Sequence, residues 1–111
     1  MSDTVTQTAV IAQSASLSGA IAIGEKVAIG ILMPAAWDAA NLTFQASVDG
    51  VNFSNVYDSS GNELTVTAAA GRYIELDPSV FVGINQIKLR SGTSGSPVNQ
   101  TAARTLSILT R

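Results

Sequence analysis

ILMPAAWDAANLTFQASVDGVNF, residues 31 to 53, alternates apolar and polar side chains, breaks at a proline and a tryptophan, alternates again and turns at Asp49-Gly50. Successive side chains of a strand point to opposite faces. A period of two therefore puts Leu42, Phe44, Ala46 and Val48 on one face, with Thr43, Gln45 and Ser47 on the other. Asp-Gly supplies the positive φ of a tight hairpin turn, and Val51 and Phe53 restart the chain in the reverse direction. The break at Pro34-Ala-Ala-Trp37 reads as a crossing over one end of a layered fold, where the indole closes the apolar interior.

The same period runs upstream. Leu17, Ile21, Ile23, Val27, Ile29, Ile31 and Met33 occupy odd positions, and Gly24-Glu25-Lys26 supplies a turn that splits the run into two strands. Downstream, Asp58-Ser-Ser-Gly-Asn62 is a second turn, followed by alternation at Leu64, Val66 and Ala68, a turn at Ala70-Gly71 and a short strand Tyr73 to Leu76. Asp77-Pro78-Ser79 suits a single helical turn, because proline tolerates a first helical position. Ile84, Ile87 and Leu89 mark another strand, Ser91 to Asn99 a Gly/Ser/Thr/Pro loop, and Leu106, Ile108 and Thr110 a last strand.

Short strands separated by turns every 8 to 12 residues or so, with no long helical stripe, predict an all-β fold. The expectation is an antiparallel β-sandwich or jelly roll of about eight strands. Residues 13–111 are expected to form one domain. Residues 1–12 are expected to combine a polar arm, Ser2 to Gln7, with a first strand near Val5 to Ile11.

Composition removes several classes of function. The 111 residues include no cysteine and no histidine, so a disulfide framework, a thiolate or imidazole metal site and the usual general base near neutral pH are all missing. Charged residues make up 13% of the chain and the net charge is −2, with six basic residues scattered along it. A nucleic-acid partner is not expected, because counterion displacement needs clustered lysine and arginine. The most apolar run, AIAIGEKVAIGILM, is too short for a bilayer and contains Glu25 and Lys26, so no membrane span is expected. The N-terminus MSDTVTQTAV lacks a basic region followed by an apolar one, so synthesis in a cytoplasm is expected. Asn99-Gln-Thr101 and two similar triplets match a glycosylation pattern by chance in a chain rich in Ser, Thr and Asn.

Candidate sites each admit two readings. Trp37 at a strand exit could stack on a sugar ring, or plug an end of the sandwich. The plug is the expectation, because sugar sites usually gather several aromatics and this chain has only six. Asp49, Asp58, Asn62 and Glu63 could supply oxygens to calcium, but without alternating carboxylates they read as turn residues capping their own backbone. Ser91-Gly-Thr-Ser-Gly-Ser96 lacks the lysine and helix of a phosphate loop. Arg90 and Arg104 bracket it, and one of them is expected to tie it down through backbone carbonyls or a carboxylate such as Asp77. No pair of acidic residues is favoured for acid–base work, so neither an enzyme nor a cofactor is expected. Pro34, Trp37, Asp49, Gly50, Phe53, Tyr73, Arg90 and Arg104 are expected to be architectural.

Two stretches resemble the discoidin, or coagulation-factor C-type, jelly rolls. Ser47-Val-Asp-Gly-Val-Asn-Phe53 is similar to that family's Ser-x-Asp-Gly-x-x-aromatic hairpin, and Gly71-Arg-Tyr-Ile-Glu-Leu76 to its Arg-Tyr-hydrophobic strand. Both are fold motifs, and the family's terminal cysteines are missing here. A wider resemblance covers Met33-Pro-Ala-Ala-Trp37, Leu42 to Gly50, Ile87 to Ser94 and Pro97 to Gln100. These stretches look like small proteins encoded among tailed-phage and prophage virion genes.

That resemblance implies a virion structural protein, most simply a decoration or cement protein held on the head lattice by the major capsid protein or another virion protein. It would be made in the bacterial host's cytoplasm and act as a homo-oligomer, with a trimer fitting lattice symmetry points. The alternative is a glycan-binding module of a tail or head spike, with Trp37 and Tyr57 as stacking platforms and Asp49, Asn52 and Asn55 as polar contacts to a host glycan.

Overall fold

The computed structural model describes residues 4–111. Among the described residues, eight strands form two four-stranded antiparallel sheets. In chain order they are β1 (Val5–Ile11), β2 (Ile21–Ala22), β3 (Ala28–Leu32), β4 (Leu42–Ser47), β5 (Ser54–Asn55), β6 (Tyr73–Glu75), β7 (Gln86–Ser91) and β8 (Arg104–Thr110). One sheet has the order β1-β8-β3-β6 and the other β2-β7-β4-β5. Among the described residues, the helical content is one 3-10 turn, Pro78–Val80. Asp77 caps that turn through its carboxylate, which accepts the Ser79 N–H at 3.1 Å.

The period-two residues face one another across the layers. Ala9 and Ile11 of β1, Ile31 of β3 and Leu106 and Ile108 of β8 meet Leu42 and Phe44 of β4 and Ile87 and Leu89 of β7, all buried. Phe81, on the connection from β6 to β7, closes the open side by meeting Phe44 edge-to-face with ring centroids 5.3 Å apart. A fully buried aromatic or branched aliphatic side chain contributes about 1.5–3 kcal/mol. The connection from β3 to β4 crosses between the sheets, and Trp37 packs half-buried against the core from it. Its indole N–H donates to the Ala40 carbonyl at 3.0 Å, and Pro34 accepts the Gly71 N–H at 2.8 Å.

Four expectations need correction. The polar arm expected over Ser2 to Gln7 gives way from Val5 onward to the first strand expected near Val5 to Ile11, which is β1, paired with β8 in unbroken register from Val5↔Thr110 to Ile11↔Arg104. Ser2 and Asp3 lie outside the described residues. The Asp49-Gly50 turn is a wider loop over residues 48–53, since β4 pairs with β5 only at Gln45↔Asn55 and Ala46↔Ser54. The alternation at Leu64 to Ala68 yields one bridge, Leu42↔Val66, because loop groups take its other hydrogen bonds: the Ala68 N–H goes to Asn41 Oδ1 at 3.3 Å. Finally, Asp77 is not the arginine partner, since its carboxylate is spent on the 3-10 turn.

Candidate functional site

The loop after β4 is built by one carboxylate. Asp49 Oδ1 accepts the backbone N–H groups of Val51 and Asn52, both at 2.8 Å, and the Ser47 hydroxyl at 3.0 Å. Its Oδ2 accepts the Asn52 amide at 3.0 Å. Gly50, with φ +80°, turns the chain at this point, and its N–H donates to Ser47 Oγ at 2.7 Å. The Asn52 and Val51 backbone donors, followed by the Asn52 and Ser47 side chains, hold the Asp49 carboxyl far below the usual carboxylate range. Asp49 is therefore ionised and engaged.

Around this loop lies a shallow depression of about 450 Å³, lined among others by Val48, Asp49, Asn52, Asn55, Tyr57 and Ile84. It collects four of the five residues considered for sugar binding. Tyr57 is 54% exposed and Val48 80%, so an aromatic ring and an isopropyl group face the solvent. The fifth residue, Trp37, is not among the lining residues and sits in the β3–β4 connection. A paired stacking platform of Trp37 and Tyr57 is therefore not formed. Asn55 is also engaged: its Oδ1 accepts Arg90 Nη2 at 2.6 Å and Gln45 Nε2 at 3.4 Å.

Arg90 and Arg104 act inward. Arg90, on β7, is 7% exposed, and its Nη1 reaches Glu63 Oε2 and Thr43 Oγ1, both at 3.2 Å. Glu63 in turn accepts the Ser94 N–H at 3.2 Å, so the glycine-rich loop is tied down through a carboxylate as expected, with Glu63 as the partner. Arg104 donates from Nη2 to Asp38 Oδ1 at 2.7 Å and from Nε to Gln100 Oε1 at 3.1 Å. Gln100 is fully buried and also bonds Ser91 Oγ and the Asp38 backbone. Burial pushes the Asp38 carboxyl up. The Thr101 N–H and hydroxyl, together with Arg104, outweigh it and hold the group below its ordinary value.

Asp58 caps its own turn by accepting the N–H groups of Ser60 at 2.9 Å and Asn62 at 3.0 Å. Among the described residues, no three Asp or Glu side chains converge where they could hold a metal ion. Phe53 lies under Lys88, whose ammonium sits 4.4 Å from the ring centroid. Tyr73 covers Gly30 on the outer face of its sheet. Sequence reasoning missed Glu63, Asp38 and Gln100 as the arginine partners. Only the turn positions of Glu63 and Gln100 beside apolar strands hinted at them.

This chain is defined by an antiparallel β-sandwich with its buried charges paired across loops. No protein-family model matches it, and no curated protein matches it. Among solved structures, it is similar in fold to the SPBc2 prophage-derived protein YomS. The TM-score is 0.56, with 10% sequence identity over 99% of this chain and 96% of that one.

Proposed function

We propose that the chain is a phage virion structural protein, most simply a capsid decoration or cement protein held by surface complementarity. What carries the reading is the fold likeness to a prophage-derived protein over nearly the whole of both chains. The site geometry supports it from the other side. Asp49 stays ionised with its lone pairs committed to its own loop, and Arg90 and Arg104 are consumed in holding loops together. Such groups stiffen a surface and offer no acid–base pair to a substrate. The major capsid protein is the natural partner, and the reading includes no catalytic step, cofactor, nucleic acid or membrane. Among the described residues, no helix is long and apolar enough to cross a membrane.

The test is the copy number of the chain in purified particles of the phage or prophage that encodes it, by quantitative mass spectrometry. A symmetric head lattice predicts on the order of hundreds of copies per particle. A handful would move the protein to the tail or a spike, and its absence from particles would overturn the reading.

One observation favours a second reading, a glycan-binding module. Tyr57, Asp49, Asn52 and Asn55 do share one depression. Retention on immobilised host glycans that Tyr57→Ala abolishes, with the fold intact, would favour that module. No retention by the wild-type chain would remove it.

A further inference from the structure

The four sheet edges of the sandwich are not alike. β2 and β5 are two residues long and β6 three, whereas β1 runs for seven. An edge strand presents unpaired N–H and C=O groups, and natural sheets blunt such edges by shortness, charge, proline or a bulge. Three edges here are blunted by shortness. β1, VTQTAVI, has no charged residue, proline or glycine, and its register with β8 contains no bulge.

The phase of the ladder says which groups are free. Val27 and Arg111 exchange both backbone hydrogen bonds at 2.9 Å, so Arg111 points toward β3. Alternation then turns Leu106, Ile108 and Thr110 toward β1, and Val5, Gln7, Ala9 and Ile11 bond them and Arg104. Thr6, Thr8 and Val10 therefore direct their amides and carbonyls away from β8, and all three side chains are exposed. Among the described residues, the side-chain bond from β1 to the facing sheet is Gln7 Nε2 to the Ala22 carbonyl at 2.7 Å, on the inward side.

We propose that this edge pairs with the same edge of a second copy of the chain, β1 against β1 antiparallel about a two-fold axis at Thr8, joining two four-stranded sheets into one of eight. The edge is self-complementary in that register. Thr8 faces its own copy and Thr6 faces Val10 of the second copy, which are the β-branched pairs that stabilise antiparallel sheets. No charge stands opposite a like charge, which lets two chains of net charge −2 approach along this line. Three outward residues per strand give about six backbone hydrogen bonds across the axis. A two-fold contact of this kind closes at two subunits, and so departs from the trimer expected from the sequence. It stands independently of the virion reading.

The test is sedimentation velocity of the full chain, with its 11.4 kDa mass setting the monomer. An edge contact is small for a specific interface, so the series spans about 10 µM to about 1 mM. The wild type is expected to shift toward twice the monomer mass as concentration rises. Thr8→Lys, which places like charges face to face, should remain monomeric throughout with an unchanged circular dichroism spectrum. Thr8→Pro should do the same, because the amide it removes bonds nothing in the monomer.

In this cysteine-free chain, Thr8→Cys should cross-link under mild oxidation, since facing Cα atoms of a hydrogen-bonded pair lie about 5.5 Å apart. Thr105→Cys on β8 should not, because its copies would be about 20 Å apart, three strand spacings across and four residues along the strands. A wild type monomeric at every concentration, a trimer, or a dimer insensitive to both substitutions at Thr8 would overturn the proposal. So would cross-linking at position 105 in place of position 8.

Discussion

Replacing Arg90 by methionine should be among the most damaging single changes available outside the apolar core. The arginine and its partner Glu63 have side chains only 8% and 14% exposed. Arg90→Met removes the guanidinium contacts to Glu63, Thr43 and Asn55 while keeping most of the apolar stem. What remains is a mostly buried carboxylate whose surviving donor is the Ser94 N–H. Breaking a buried pair from one side costs about 3–5 kcal/mol. The residual water contact and the Ser94 bond place this case at the lower end, near 3 kcal/mol or about 12–15 °C in Tm for a domain of this size.

The double variant Arg90→Met/Glu63→Gln removes the stranded charge and keeps an acceptor for Ser94. It should therefore be more stable than Arg90→Met alone, giving a coupling of about 1–2 kcal/mol in a double-mutant cycle. Because the pair is shielded from solvent, the difference should survive in 1 M salt, roughly a 3 Å screening length. Thermal melts followed by circular dichroism, repeated with and without salt, read all of this. An Arg90→Met variant melting within about 3 °C of the wild type, or strictly additive effects in the cycle, would refute the reasoning.

Gly92 has φ +89°, and a Cβ there would lie 2.6 Å from the Ser96 carbonyl oxygen and 2.7 Å from the Val98 nitrogen, both backbone atoms. Gly92→Ala should therefore cost about 3 kcal/mol in urea unfolding, against about 1 kcal/mol for Gly50→Ala, where the nearest atoms are the mobile Gln86 and Asn85 side-chain ends. Asp38 and Asp49 both have folded-state carboxyl groups that ionise below their ordinary value. Their contribution is complete above the unfolded value, about 3.9, and is lost as pH falls from there through the folded value. The urea midpoint should thus drop between pH 5 and pH 2, roughly the window this linkage sets, and drop less in Asp49→Asn. Trp37→Ala should lower Tm by about 8–10 °C, the equivalent of about 2 kcal/mol for a half-buried indole, without altering retention on any glycan matrix.

Local pattern was legible and long-range polar pairing was not. Leu42, Phe44, Leu89, Leu106 and Ile108 announce their strands because period two is a property of the chain itself. Asp49 and Gly50 announce a loop because an aspartate caps amides two and three residues onward. The run from Leu17 to Met33 reads as two strands split by a turn, but its period does not say which sheet each joins, and β2 and β3 lie in opposite sheets because the turn at Gly24 passes between layers. Arg90 finds Glu63 at a separation of 27 residues and Arg104 finds Asp38 at 66, distances over which no periodicity carries information. Four of the five sugar-site candidates did gather, because Asp49 to Tyr57 belong to one hairpin. Trp37 did not, because the crossing between sheets carries it away.

The distribution of polar groups also bears on how such a domain could be held. Ordering a loop at an interface costs conformational entropy that must come out of the binding energy. Here the loop around Ser94 is fixed by Glu63 and Arg90, the segment at Asp38 by Gln100, Thr101 and Arg104, and the loop after β4 by Asp49. These ties are in place before any partner arrives, so the ordering cost belongs to folding instead. A surface of modest area with few charges can then bind by fit, because little of its binding energy is consumed in arranging it. The same logic separates the tied loops from the edge of β1. The loops already spend their hydrogen-bonding groups inward, whereas Thr6, Thr8 and Val10 still present a row of backbone donors and acceptors outward, where only another strand can satisfy them in register.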